Sequence, residues 1–138
     1  MISKLQTPKF VGAIIENEKS EILLQKRDAR APTFKNCWTL FGGKVETGET
    51  PRAALLRELA EELSLTSNLI SKCKVIQKNV QNNDSVQYVF LVEITAKLAD
   101  LKLKEGVEMK FINRKNLFKR KFAFNIREVL KTYLKENR

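Results

Sequence analysis

Three carboxylates share one side of a predicted helix. Residues 51–63 are rich in strong helix formers, and on a helical wheel Glu58, Glu61 and Glu62 fall within an arc of about 100° beside the apolar stripe. Like charges at this spacing destabilise an isolated helix. The pattern therefore favours a positively charged ligand, and Mg²⁺ or Mn²⁺ suits it because hard cations take oxygen ligands. The alternative is an exposed acidic face on which Arg57 pairs with Glu61.

The rest of the composition narrows the chemistry. The chain has no histidine, which excludes serine-histidine and cysteine-histidine nucleophile systems. Cys37 and Cys73 lack the spacing of zinc ligands, and two cysteines favour a reducing compartment over a disulfide scaffold. Acid–base catalysis would then rest on carboxylates, lysine or tyrosine. No apolar run is long enough to span a bilayer, so we expect a cytoplasmic protein without a membrane partner.

Charge is unevenly distributed along the chain. The net charge is +10, yet residues 42–65 carry three basic and five acidic side chains, so the rest of the chain carries +12. Carboxylates that hold a cation, within a basic surface that attracts a phosphorylated substrate, would give this distribution. The alternative is an ordinary solvated basic surface.

The hydrophobic pattern predicts one α/β domain over residues 1–138. Thr50 as N-cap and Pro51 in the first turn predict the start of the acidic helix, and apolar residues at helical spacing predict a second helix over 126–136. Gly42, Gly43 and Gly48 indicate backbone that turns tightly or approaches a ligand. Apolar runs predict strands, over residues 10–15, 21–27, 38–40, 69–78, 85–95, 101–104 and 109–112.

The glycine loop and the acidic helix together resemble a known motif. Gly43, then Glu49 after five residues, then Arg57-Glu58-Leu59-Ala60-Glu61-Glu62-Leu63-Ser64-Leu65 after seven, resembles the Nudix box, Gly-x5-Glu-x7-Arg-Glu-U-x-Glu-Glu-x-Gly-U with U a bulky aliphatic residue. Only Ser64 departs from the pattern, at a position where glycine permits a left-handed helix end. The resemblance extends over the whole chain and implies a Nudix-like α/β/α sandwich with a mixed central sheet, a box helix and a C-terminal helix.

The resemblance also implies an activity. Nudix enzymes hydrolyse a nucleoside diphosphate linked to another group, with magnesium or manganese activating water and neutralising phosphate charge. By position, Glu58, Glu62 and the Gly42 carbonyl would be metal ligands, and Glu61 a further ligand or the general base. Arg57 would pair with Glu49 and orient the carboxylates.

Candidates outside the box complete the predicted site. Glu105, with Glu108 in reserve, matches an additional glutamate that many relatives place on a loop; an ordinary turn residue is the alternative. Arg27 is a candidate phosphate ligand because guanidinium binds phosphate bidentately, and Lys44 is a second basic candidate for substrate binding.

Phe124 and Asn125 precede the final helix, where the MutT-like branch of the family uses an asparagine to read a purine base. The simpler interpretation of Asn125 is a helix N-cap, a position that asparagine favours.

The leading hypothesis is a MutT-like nucleoside triphosphate pyrophosphohydrolase, present as a monomer or homodimer. Its alternatives are an enzyme that removes pyrophosphate from RNA 5′ ends, and a non-catalytic module that binds nucleotides or RNA. The intact set of glutamates argues against the module, because a protein that only binds polyanions gains nothing from focused negative charge.

Overall fold

The computed structural model describes residues 7–81, 83–104 and 106–136, and within these ranges seven strands form one mixed sheet between two α-helices. The strands are β1 Lys9–Glu16, β2 Ile22–Lys26, β3 Trp38–Thr39, β4 Phe41–Lys44, β5 Ile70–Val80, β6 Val86–Ile94 and β7 Glu108–Ile112. The helices are α1 Pro51–Leu63 and α2 Ile126–Glu136, and short 3-10 turns cover Ser67–Leu69, Leu98–Asp100 and Arg114–Lys119.

Strand β1 is the centre of the sheet. It runs parallel to β6 on one edge; on its other edge it pairs antiparallel with β4 through residues 10–13 and with β2 through residues 15–16. β3 and β7 both pair with β2, and β5 pairs with β6. Since β2 and β4 use successive parts of the same edge, the sheet branches beside the first half of β1, and residues of all three strands line the cleft described below.

Each helix covers one face of the sheet. Alternate residues of a strand point to opposite faces, and β6 therefore sends Phe90 and Val92 to the α1 side and Val89 and Leu91 to the α2 side. All four are buried, so both faces of this strand contribute to the core. The predicted α/β/α sandwich is confirmed. No helix among the described residues is long and apolar enough to cross a membrane.

The buried face of α1 extends beyond its apolar stripe to an alanine on the acidic side of the helix. Ala54 is fully buried, whereas Leu56 is only partly buried. The buried arc is therefore shifted toward the acidic side of the helix, because the small alanine packs closely against the sheet. This shift brings Glu58 and Glu62 against the glycine loop and leaves Glu61 facing solvent.

Residues 101–104 do not form the predicted strand. Their backbone instead pairs with the end of α1: the Lys102 N–H donates to the Leu63 carbonyl at 2.9 Å and the Lys104 N–H to the Glu62 carbonyl at 3.0 Å. The last carbonyls of a helix lack hydrogen-bond donors within the helix, and this segment supplies donors for two of them.

Glu16 belongs to β1 rather than to the polar turn between the first two strands. Its side chain is buried and accepts a hydrogen bond from Arg114, whose guanidinium lies 5.6 Å from the centre of the Tyr133 ring. Burial, reinforced by Glu16, raises the pKa of the Tyr133 hydroxyl above its ordinary value. The cluster of Glu16, Arg114 and Tyr133 therefore joins β1, the 3-10 turn at Arg114–Lys119 and α2.

Helix α1 begins with a side-chain cap and ends with a backbone cap. The Thr50 hydroxyl accepts from the Ala53 N–H at 3.1 Å, which confirms the predicted N-cap. Ser64 adopts the left-handed conformation (φ 56°, ψ 29°), with its N–H bonded to the Ala60 carbonyl and that of Leu65 to the Leu59 carbonyl. The departure from glycine thus keeps the backbone geometry of a left-handed helix end.

Ser64→Gly is expected to stabilise the protein by about 1 kcal/mol, because a residue with a Cβ is strained by roughly that amount in the left-handed region. Thermal unfolding followed by circular dichroism measures the effect. Ser67→Gly is the matched control, since Ser67 has no positive φ and should gain nothing. Equal melting temperatures for wild type and Ser64→Gly would show that the left-handed backbone at Ser64 is not strained.

Candidate active site

Arg57 fastens the glycine loop to α1. Its Nε and Nη2 donate to the two oxygens of Glu49 at 2.7 and 3.0 Å, a bidentate pair, and Nη2 also donates to the Lys44 carbonyl at 3.1 Å. Its Nη1 contacts Glu58 at 2.9 Å and Glu61 at 3.3 Å. The helix and the loop after β4 are therefore held in one arrangement by a single side chain.

The contacts between Arg57 and Glu49 shift the pKa values of both side chains. The hydrogen bonds from Arg57 and from the Glu46 backbone N–H hold the pKa of Glu49 well below its usual range, at about 2. The hydrogen bond with Glu49 in turn raises the pKa of Arg57. Glu49 is thus an anion throughout the neutral range and serves to position Arg57.

Because the pKa of Glu49 is lowered by folding, the ion pair stabilises the protein above the ordinary glutamate pKa and loses this effect as the pH falls toward 2. Glu49→Gln is therefore expected to lower the melting temperature at pH 7, with the difference from wild type vanishing near pH 2. Melting temperatures measured from pH 7 to pH 2 check this. The control is Glu46→Gln, since that carboxylate is exposed and 3.9 Å from Arg57. A pH-independent deficit in Glu49→Gln would contradict the linkage.

The two glycines of β4 allow close approach at two different points. A Cβ at Gly42 would overlap the backbone carbonyl of Val11, and one at Gly43 would overlap the Glu58 carboxylate. Glu62 accepts a hydrogen bond from the Gly42 N–H at 3.3 Å. Gly43 thus lets the Glu58 carboxylate lie directly against β4, and Gly42 lets β1 and β4 approach closely.

The donor atoms of this region suit a hard divalent cation in type. Glu58, Glu61 and Glu62 offer only oxygens, and their helix packs against the backbone of Gly42 and Gly43 in β4. Within the described residues, no three acidic or cysteine side chains are gathered closely enough to enclose an ion. Glu58 and Glu61 instead contact Arg57. A cation held by these two carboxylates would compete with Arg57 for their oxygens.

The three carboxylates differ in exposure. The Glu58 side chain is 16% exposed and that of Glu61 is 61% exposed. Glu62, with Gly42 and Gly43, lines a cleft of about 740 Å³.

This cleft brings five of the eleven predicted site residues together, whereas Glu49, Arg57, Glu58 and Glu61 do not line it. Arg27, Phe124 and Asn125 line it together with the glycine pair and Glu62. Lys44 does not line it; its exposed side chain lies in a separate groove with Glu46 and Glu49. Glu105 lies outside the described residues, and Glu108 is in β7, 3.4 Å from Lys110.

Phe124 and Arg27 form one side of the cleft, and Phe34 packs against Phe124. The ring of Phe124 lies 4.8 Å from that of Phe34 and 4.9 Å from the Arg27 guanidinium. Both phenylalanines are about half exposed and have positive φ, 52° in each case. Backbone strain of this kind is typical of binding sites. Arg27 also donates to the carbonyl of Thr33 at 3.1 Å.

The Asn125 side chain turns into the cleft and not onto the end of α2. Its Oδ1 accepts from Gln87 Nε2 at 3.1 Å, and its Nδ2 donates to Gln87 Oε1 at 2.9 Å. Only its backbone carbonyl accepts from the helix, from the Val129 N–H. The geometry therefore differs from the side-chain cap that the sequence favoured, because Gln87 of β6 competes for the amide.

Comparison with known proteins agrees with this arrangement. The family profile described as NUDIX domain matches residues 7–133. The chain belongs to the Nudix family. The 8-oxo-dGTP diphosphatase of Escherichia coli K12 is 36% identical over 80 residues, which are 58% of this chain and 61% of that protein. The ADP-ribose pyrophosphatase of Methanocaldococcus jannaschii is 29% identical over 128 residues, 91% of this chain and 72% of the relative.

A solved structure agrees in fold with this Nudix chain. One from work on MutT of Aliivibrio salmonicida and Vibrio cholerae superposes with a TM-score of 0.74 at 24% identity, covering 95% of this chain and 99% of that one. The family and the named relatives support a pyrophosphohydrolase, and Nudix hydrolases generally use divalent metals.

Sequence reasoning missed a set of polar residues that also line the cleft. These are amide or hydroxyl side chains, Gln25, Gln81, Asn83, Ser85 and Gln87. One available signal was Gln87 inside the mostly apolar β6, where a polar group requires a hydrogen-bond partner.

Proposed function

We propose that this chain is a metal-dependent pyrophosphohydrolase that acts on a nucleoside triphosphate. One observation carries the proposal: a single cleft is lined by Glu62, Gly42 and Gly43 together with Arg27, Phe124 and Asn125. Carboxylates suit a metal-bound polyphosphate, whereas an exposed aromatic face and a carboxamide suit a base.

The residues in and beside the cleft have distinct tasks in this reaction. Glu58, Glu61, Glu62 and the Gly42 carbonyl would hold Mg²⁺ or Mn²⁺, which when bound offsets phosphate charge and lowers the pKa of water. Arg57 and Glu49 keep α1 and the glycine loop in register, and are positioning residues. Arg27 binds phosphate oxygens by exchanging its bond to the Thr33 carbonyl for them.

The proton on the attacking water needs an acceptor. Glu61 is the candidate among the described residues because it is the most exposed of the three carboxylates of α1 and can turn from Arg57 toward water. Glu105 is the alternative general base from the sequence. Replacing each by glutamine and comparing the pH dependence of kcat assigns the role to whichever variant loses the acid limb.

The test of this function is a substrate panel. Purified protein with Mg²⁺ or Mn²⁺ is incubated with nucleoside triphosphates, dinucleoside polyphosphates, ADP-ribose and triphosphorylated RNA, and the products are identified. Release of pyrophosphate and a nucleoside monophosphate from a triphosphate supports the proposal. Turnover of RNA alone, or tight nucleotide binding without turnover, would replace it with one of the two alternatives above.

The basic surface favours keeping RNA in the panel. Arg127, Lys131 and Lys135 follow one another at four-residue spacing along α2, and Lys131 and Lys135 are exposed. Such a stripe attracts polyanions. If kcat/KM for RNA falls more steeply with salt concentration than kcat/KM for a free nucleotide, the result would support a role of this basic stripe in binding RNA.

A further inference from the structure

Four side-chain amides form a continuous hydrogen-bonded series from α2 to the cleft. Gln77 Nε2 donates to the Val129 carbonyl at 3.0 Å. Asn79 Nδ2 donates to Gln77 Oε1 at 3.2 Å and to Gln87 Oε1 at 2.8 Å. Gln87 then exchanges two hydrogen bonds with Asn125, at 2.9 and 3.1 Å. We call Gln77, Asn79 and Gln87 the amide relay.

The orientation of every amide in this series follows from its first member. A backbone carbonyl only accepts, so Gln77 must turn its nitrogen toward Val129 and its oxygen toward Asn79. Asn79 must then present its nitrogen to both glutamines, and Gln87 must present its oxygen to Asn79. The same oxygen accepts from Asn125 Nδ2. A flip of any one amide would place two donors or two acceptors face to face.

Asn125 keeps part of its hydrogen-bonding capacity. The pair with Gln87 uses one N–H of Nδ2 and one lone pair of Oδ1, and leaves one of each for a ligand in the cleft. A freely rotating amide accepts either order of donor and acceptor by flipping. An amide of fixed orientation distinguishes them.

We propose that the amide relay locks the Asn125 carboxamide in one orientation, so that the cleft discriminates oxo from amino nucleobases. A 6-oxopurine presents a hydrogen-bond acceptor at position 6 beside a donor at N1, and a 6-aminopurine presents a donor beside an acceptor. If the base is held in one position, an amide of fixed orientation pairs with only one of these two patterns. Gln77, Asn79 and Gln87 are positioning residues. The inference rests on the proposed function in that the cleft must bind a nucleotide.

The decisive variant is Asn79→Asp. A carboxylate only accepts, so it loses the hydrogen bond to Gln77 Oε1 and must receive the nitrogen of Gln87 instead of donating to its oxygen. The reversed Gln87 then reverses Asn125. Asn83→Asp is the matched control. It introduces the same charge on the wall of the cleft, but Asn83 Oδ1 only accepts, from the Ser85 N–H and hydroxyl, so the aspartate keeps those bonds.

The measurement compares inosine and adenosine triphosphates, by kcat/KM and by dissociation constants. Wild type is expected to prefer one of the two by about fivefold or more, which is the worth of one neutral hydrogen bond. Asn79→Asp should abolish or invert that preference, while Asn83→Asp weakens both nucleotides alike and keeps their ratio. Equal losses for both nucleotides in Asn79→Asp, or no preference in wild type, would overturn the proposal.

A second readout does not depend on nucleotide binding. In the free protein, NMR should show slow exchange with water for the side-chain amide protons of Asn79 and Gln87, and a shifted Asn125 amide signal in Asn79→Asp but not in Asn83→Asp. Rapid exchange in wild type would overturn the relay. Absence of binding by either nucleotide would instead reject the proposed function, and the exchange data would still decide whether the relay exists.

Discussion

Glu62→Gln and Glu58→Gln are each expected to lower kcat/KM by at least about 100-fold. Replacing a group that only orients a metal ligand typically costs 10- to 100-fold, and loss of a ligand's charge should cost more. The amide keeps the shape of the side chain and removes its negative charge. Metal affinity and activation of water should therefore fall together, while the packing of α1 against the sheet remains.

The measurements are steady-state kinetics with Mg²⁺ and calorimetric titration of Mn²⁺ into each variant. Circular dichroism verifies that both variants fold. Glu128→Gln is the control, because it removes the same charge from an exposed position of α2. Turnover and metal affinity near wild-type values in either variant would show that its glutamate is not a ligand.

Gly42→Ala is expected to lower the stability of the protein and Gly43→Ala its activity, although the two residues are adjacent. A Cβ at Gly42 meets the backbone carbonyl of Val11 on the paired strand, so β1 and β4 must separate. Overpacking of this kind costs about 1–3 kcal/mol of unfolding free energy. A Cβ at Gly43 meets only the carboxylate of Glu58, which can move. Gly43→Ala should therefore keep the stability and lower kcat/KM.

Urea unfolding and kinetics on the two variants test this contrast. Gly12→Ala provides the control for stability, since its added Cβ would lie 3.6 Å from Leu40 Cδ1, an ordinary contact. A fully active Gly43→Ala would mean that the position of the Glu58 carboxylate does not matter to the reaction. A Gly42→Ala variant as stable as wild type would contradict the close approach of the two strands.

The elements that depend on local sequence were predicted well. The Thr50 cap, the extent of α1, the apolar β6 and the Nudix family follow from neighbouring residues, and all are confirmed. Local signals suffice there because capping, helical periodicity and the box spacing are fixed by residues within a few turns of one another. The assignments of individual site residues stay predictions.

The features that local sequence did not predict depend on how distant parts of the chain pack together. The backbone of residues 101–104 pairs with the end of α1, Glu16 is buried against Arg114, and Lys44 lies in a groove separate from the cleft. Similarly, the Asn125 amide bonds to Gln87, 38 residues away, and not to the adjacent helix.

The sequence by itself therefore determined the class of chemistry, because the glutamates and glycines of the box lie within one loop and one helix. Only the tertiary structure decided which polar side chains share the cleft and how they are oriented. That outcome depends on the parallel pairing of β1 with β6 and the packing of α2 against them, which bring Gln77, Gln87 and Asn125 together. A side-chain amide can donate or accept in several directions, and its final orientation is selected by whichever partner the fold places beside it.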